Sequence, residues 1–437
     1  MSIPVVTVGQ SREDLVGGLE RLHGPVTVVR RCAELAELLA ACQSGMARAA
    51  VVADGSEGLT ASLVDRLEAV GVAIIALTDN AEEAARLRKI GVSCALSAVE
   101  SAELSQRISE AVEQLTAGGR GSTGRGSSLA DTGAALQSKL ADTPATSPDV
   151  PGAGRVIAVW GPAGSPGRTT LAANIAGELA ADGQQVLLID ADSYGASIAA
   201  VLGLLDESAG LAQACRLADQ GRLDDAALER IATPVATVSG TLRVLTGITR
   251  ADRWTELRAP ALALVLERAR RNADAVIVDT GFCLEADEEL SFDTMAPRRN
   301  AATLRPLELA DTIYAVGAAD PVGVPRLVRG LSELEAAVPQ ASPVVVMNKV
   351  RASSVGRNPE RQLRDAWERF GPAFALNEFL PYDAAAADAA LLSGSLLLEA
   401  APESMLRHAV RRLVCAPDQQ KSKSSVFSST ARRRAKD

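Results

Sequence analysis

The sequence predicts an α/β protein built on two parallel sheets, each covered by helices on both faces and joined by a flexible linker. Three observations predict it. Strand-length runs of uninterrupted apolar residues recur along the chain, the pattern of strands buried on both faces. Stretches with apolar residues three or four apart separate them, the pattern of helices. A segment rich in Gly, Ser and Pro divides the chain in two.

In residues 1–115 the apolar runs are 5–8, 26–29, 49–53, 73–77 and 94–96. Between them Leu15, Leu19 and Leu22, then Leu35, Leu38 and Leu39, fall at helical spacing. Strand and helix alternate here, which implies one small parallel sheet. Residues 116–154 are the linker, Gly/Ser-rich at first and then carrying Pro144, Pro148 and Pro151. A short helix over 129–140 is expected inside it. In residues 155–415 the apolar runs are 156–160, 186–189, 275–278, 313–316 and 344–347, with a weaker strand at 243–246. Helices are expected at 169–181, 260–271 and 403–414. Residues 416–437 form a basic Ser/Lys/Arg tail, expected to be disordered.

Composition bounds the function. Apolar residues are 47% of the 437 but aromatics only 3%, so the cores rest on Ala, Leu and Val. The net charge of -9 argues against a broad nucleic-acid surface. Cys32, Cys42, Cys94, Cys215, Cys283 and Cys415 include no CxxC pair and read as small buried hydrophobes in a reducing compartment. With His23 and His408 the only histidines, a multi-histidine metal centre is excluded. No charged-then-apolar leader and no membrane-length apolar run occurs, so a cytoplasmic protein is expected.

The chemistry gathers after the first strand of the second half. Strand 155–160 runs into Gly161-Pro-Ala-Gly-Ser-Pro-Gly-Arg-Thr-Thr170, then a helix with Leu171, Ile175 and Leu179 on one face. Strand, Gly-rich turn and helix form the context of a phosphate-binding loop. Backbone N–H groups and the helix N-terminus attract an anion there. The loop departs from strict GxxxxGK[ST], because Arg168 stands where lysine would. Downstream, Asp190 and Asp192, then Asp279, then Asn348, then Pro381 and Asp383 all fall at strand C-terminal ends. That is the side on which open α/β sheets bind ligands.

On these residues, 155–414 resembles the ParA/MinD family of deviant-Walker P-loop ATPases. Together with the first 115 residues it is most similar to the CpaE/TadZ branch, and within it to actinobacterial septum-site-determining, CpaE-like proteins. The resemblance implies a doubly wound P-loop domain behind a CheY-like receiver domain, with ATP and Mg²⁺ as ligands. It places Gly164, Ser165, Gly167, Arg168, Thr169 and Thr170 in the phosphate loop, with Thr169 and Asp279 toward Mg²⁺. Asp192 would orient the attacking water, Asn348 would contact adenine, and Pro381 and Asp383 would close over the base. Expected partners are a second copy of the chain and cell-division or type IV pilus/secretion proteins, with peripheral membrane contact through the basic amphipathic last helix. That helix can equally close the sheet.

The departures from the family shape the expected function. Its signature lysine falls at Ala163. Pro162 and Pro166 remove N–H donors, and Ser165 replaces a glycine. Weak or absent hydrolysis is expected, with Arg298 or Arg299 as substitute cations. The N-terminal half keeps Asp54 and Thr78 of a receiver. It lacks the acidic pair after 5–8, where Gly9-Gln10 stands, and the lysine at Ser97. It reads as a pseudo-receiver. The leading expectation is a nucleotide-biased regulator that positions a septum or a pilus/secretion apparatus. The alternative is an active Mg²⁺-dependent ATPase cycling between monomer and dimer. A DNA-partitioning role fits the acidic charge poorly.

Overall fold

A computed structural model describes residues 2–9, 15–22, 24–53, 55–118, 154–204, 208–237, 240–286 and 298–415. The expected linker helix, the basic tail and Asp54 lie outside the described residues.

The first sheet comprises β1 (Ile3–Val8), β2 (Val26–Cys32), β3 (Ala49–Val52), β4 (Ala73–Leu77) and β5 (Ser93–Ala95). All neighbours are parallel, in the order β2-β1-β3-β4-β5. This doubly wound order is that of CheY-like folds and is consistent with the expected receiver-like half. Strand alternation explains the double cover. Val6, Val8, Ala50 and Val52 face one core with Leu38, Leu59, Val64 and Leu67. Val5, Ala49 and Val51 face the other, with Leu104, Ile108 and Val112 from helix Ser101–Gly118. That helix runs past the expected boundary at 115.

The second sheet comprises β6 (Arg155–Trp160), β7 (Val186–Ala191), β8 (Thr233–Thr237), β9 (Gly240–Leu245), β10 (Ala275–Thr280), β11 (Thr312–Ala318), β12 (Val344–Val350) and β13 (Leu376–Pro381). Its order is β13-β12-β11-β6-β10-β7-β9-β8. Only β8 runs antiparallel to its neighbour. No apolar run announces β8, because it alternates half-buried and exposed residues and carries Pro234, which an edge strand tolerates. Strand β6 lies between β10 and β11, so the loop that leaves it emerges mid-sheet.

Helix Arg168–Ala181 is buried from Leu171 through Ala180. Its Glu178 is 4% exposed and accepts from Arg407 Nε at 2.7 Å. Arg407 belongs to helix Met405–Cys415, whose Leu406, Ala409 and Val410 are buried in the same core. The last helix therefore closes the sheet, and this apolar face is turned inward rather than toward a bilayer. Among the described residues, no helix is long and apolar enough to cross a membrane.

The two sheets meet through their helices. Helix Ala61–Ala69 rests on helices Gly210–Asp219 and Ala259–Asn272. The Ser62 N–H donates to Asp219 Oδ1 at 2.8 Å. Arg86 Nη1 donates to Gln220 O at 3.0 Å. Leu264 packs against the core of the first sheet.

Candidate nucleotide site

The loop after β6 turns through three left-handed residues, Gly164 (φ 113°), Ser165 (φ 53°) and Gly167 (φ 100°). Two are glycine, for which this region is open. Ser165 carries a Cβ into it, a strain of about 1–3 kcal/mol. A Cβ at Gly161 would stand 2.2 Å from Val316 O, so β11 limits that position to glycine. One at Gly167 would stand 2.4 Å from Asn348 Nδ2. Gly167→Ala should therefore cost at least about 1–3 kcal/mol and dislodge Asn348. Chemical denaturation checks this, and stability within about 0.5 kcal/mol of the parent would contradict it.

Side chains from three elements cap the carbonyls of this loop. Arg168 Nη1 donates to Gly161 O at 3.0 Å and Pro162 O at 3.3 Å. Lys349 Nζ donates to Ser165 O at 2.8 Å, and Asn348 Nδ2 to Pro166 O at 2.8 Å. Arg326 Nη1 lies 3.5 Å from Ala163 O. Lys349, at the end of β12, is itself left-handed (φ 59°). Two strained residues are thus tied to each other, which fixes the loop against the end of β12.

Beneath the loop lie three acids. Asp190 and Asp279 are register partners on β7 and β10, each 1% exposed. Asp192, 6% exposed, follows β7. Its Oδ2 accepts from Arg168 Nη2 at 3.1 Å. Its Oδ1 accepts from the N–H groups of Tyr194 (2.8 Å) and Gly195 (3.1 Å). Asp190 accepts from the N–H groups of Ser197 and Ile198, both at 2.9 Å. Burial pushes the Asp190 carboxyl up to about 6, with the Asp192 charge adding to it and the backbone donors opposing it. Burial, and then the Asp190 charge, push Asp279 well above the carboxylate range. Both Asp279 oxygens are sealed from solvent with no donor in good hydrogen-bond geometry, and the nearby Thr169 hydroxyl and Arg168 charge oppose the shift only in part.

A buried carboxylate with only the Thr169 hydroxyl close by, on the floor of this loop, suits a hydrated divalent cation. Among the described residues, no three His, Cys, Asp or Glu side chains form a metal cage. Mg²⁺ does not require one, because it keeps waters and takes phosphate oxygens. The Thr169 hydroxyl lies on the same side, 3.4 Å from Ser197 Oγ. Thr170 lies in the first turn of the helix, and its carbonyl accepts from Asn174 at 2.8 Å.

On the far side of the loop, Asn348 is 8% exposed. Pro381 ends β13, and Asp383 caps helix Ala384–Ser393 through Ala386 N at 3.1 Å. Between them Tyr382 carries the Arg351 guanidinium over its ring at 4.6 Å. The structure thus brings Asn348 and Arg168 onto the loop directly, while Asp383 makes a helix cap. Arg299, expected as a substitute cation, lies over the Tyr194 ring at 3.8 Å and donates to Ser193 O at 3.0 Å. Its place is on the turn behind Asp192, not on the phosphate loop. Sequence reading assigned no role to Asp190, Arg326 or Lys349. Asp190 was visible as the first acid of Asp-Ala-Asp, but nothing in the local sequence marks Arg326.

A model of the CobQ/CobB/MinD/ParA nucleotide binding domain matches residues 157–394, more than half of the chain. The chain belongs to that family. The match begins in β6 and ends beyond β13, so it contains the loop, the acids and Asn348. An iron-sulfur cluster carrier protein of Deinococcus radiodurans is 46% identical over 59 residues, 14% of this chain. The chain spans 17% of the length of that relative. A ParA family ATPase of Chlorobium tepidum is similar at 19% identity, covering 60% of this chain and 100% of its own, with a TM-score of 0.49. The cell division ATPase MinD of Pyrococcus furiosus is similar at 19% identity, covering 61% and 99%, with a TM-score of 0.47.

Proposed function

We propose that this family member binds ATP with Mg²⁺ and uses it to bias protein contacts, with little turnover. The observation that carries this reading is Arg168. It is the cation at the head of the helix, and it is already engaged by Asp192 and two loop carbonyls. To meet a phosphate it must exchange those partners, which weakens binding and ties it to rearrangement of the Asp192 turn.

In this reading Gly164, Ser165, Gly167 and Thr170 line the phosphates, with Thr169 and Asp279 toward Mg²⁺. Bound Mg²⁺ would neutralise phosphate charge. Asp192, released from Arg168, would orient water. Asn348, released from Pro166 O, would meet the adenine edge, with Pro381 and Asp383 beside the base. Phosphoryl transfer needs cations against the developing charge, and the loss of one such cation costs about 10³–10⁵ in rate. Neutral Ala163 supports slow hydrolysis. The buried Asp279 carboxylate beside the Thr169 hydroxyl favours the second reading, an active Mg²⁺-dependent ATPase cycling between monomer and dimer.

The five-stranded parallel sheet that precedes the nucleotide-binding domain supports placement in the CpaE/TadZ branch. A pseudo-receiver would contribute contacts, and a septum or pilus/secretion apparatus would be the target. Nucleotide titration of the full chain with and without Mg²⁺, beside steady-state phosphate release, tests the scheme. The expected result is Mg²⁺-dependent binding with turnover far below that of ordinary family members. Fast turnover abolished by both Asp192→Ala and Arg168→Ala would establish the ATPase instead.

A further inference from the structure

Three cationic side chains surround the phosphate loop, and they are not equivalent. Arg168 is held by Asp192. Lys349 is docked on Ser165 O at 2.8 Å. Arg326 is exposed, and no carboxylate among the described residues forms an ion pair with it. Its guanidinium reaches over the outer tip of the loop, where a Cβ on Gly164 would stand 2.4 Å from Nη1.

Arg326 also borders a cavity of about 90 Å³ shared with Ala163, Gly164, Pro166 and Gly323. Asp320 lines the same cavity, but its Oδ1 is turned to the N–H groups of Val322 (2.9 Å) and Gly323 (2.7 Å). It caps the helix Gly323–Ala337 that carries Arg326 and leaves the guanidinium unpaired with it.

The loop needs such a charge. Pro162 and Pro166 offer no N–H to an anion, and the tip residue Ala163 is neutral. The helix N-terminus at Arg168–Thr170 serves one end of a phosphate chain. The tip at Ala163–Gly164 has only Arg326 of these three cations over it. Guanidinium binds phosphate oxygens in a planar fork, so a single arginine there is effective.

We propose that Arg326 is the residue that distinguishes a nucleoside triphosphate from a diphosphate. Its guanidinium leaves the long contact with Ala163 O and takes the terminal phosphate, in the same chain that holds the rest of the nucleotide. The inference rests on the nucleotide-binding reading above and names a determinant within it.

The test is equilibrium titration of the full chain with Mg²⁺–ADP and with Mg²⁺–ATPγS. The parent should prefer ATPγS. Arg326→Ala should weaken ATPγS by about tenfold or more, as loss of a charged hydrogen bond does, and should leave ADP within about twofold. Arg326→Lys should recover part of the loss, because charge returns without the fork. Equal weakening of both nucleotides by Arg326→Ala would mean that it only supports the loop, and would overturn the proposal. So would an unchanged preference for ATPγS. A parent chain that binds neither nucleotide would overturn the nucleotide reading and this one with it. Binding by the parent with an indifferent Arg326→Ala removes only this one.

Discussion

Arg168→Ala should destabilise the chain by about 3–5 kcal/mol, the usual cost of leaving one partner of a buried ion pair uncompensated. The side chains of Arg168 and Asp192 are 12% and 7% exposed. Removing the guanidinium strands Asp192 beside Asp190 and Asp279 without the cation that pairs with it. It also frees the carbonyls of Gly161 and Pro162, which loosens a loop already strained at Ser165. Arg168→Lys should recover part of the loss through charge alone. The diagnostic comparison is Arg168→Ala with Asp192→Asn. If the ion pair is the source, the double variant should be clearly more stable than the sum of the two single losses. Urea unfolding of the four proteins measures this, and strict additivity would show that the pair contributes nothing.

That pair also shows where sequence reading stopped. Strands β6, β7, β10, β11 and β12 were legible because each is an apolar run, and an apolar run long enough for a buried strand leaves little choice of structure. The order of acids at strand ends was legible for the same reason. β8 was hidden because an edge strand needs only half its residues buried. The contact of Ser62 with Asp219 joins residues far apart in sequence through backbone and one carboxylate, and no local pattern encodes it. Asn348 was found, but its engagement with Pro166 O was not, since it depends on how closely the end of β12 approaches the loop. Arg298 or Arg299 was expected as a substitute cation, and the stacking of Arg299 on Tyr194, an aromatic in a chain with few of them, was not legible. Residue type and strand position can be read from sequence, whereas the partner of a long charged side chain is decided by packing.

The buried acids give the second large effect, a dependence on pH opposite to that of surface carboxylates. Asp190 has an ordinary value near 3.8 and is raised to about 6 when folded. Below about pH 3 both folded and unfolded chains hold its proton, and burial carries no ionic penalty. As pH rises past the unfolded value, the unfolded chain ionises first. By about pH 6 the folded state has lost about 3 kcal/mol relative to it. Asp279 is raised as well, so it acts in the same direction. Glu37, held low by the Ala33 N–H and then Arg30, and Glu83, held low by Arg86, act the other way and lose their contribution as pH falls. A melting curve of the parent alone would mix the two effects, so the measurement is a difference. Asp279→Asn keeps the shape, removes one buried ionisable carboxyl and relieves Asp190. Without nucleotide, its melting temperature should rise relative to the parent as pH goes from about 4 to about 8. With Mg²⁺ and ATPγS the order should reverse at the upper end, because a cation there favours the carboxylate the variant lacks. A melting difference that stays flat across this range would show that burial does not raise Asp279 above the carboxylate range.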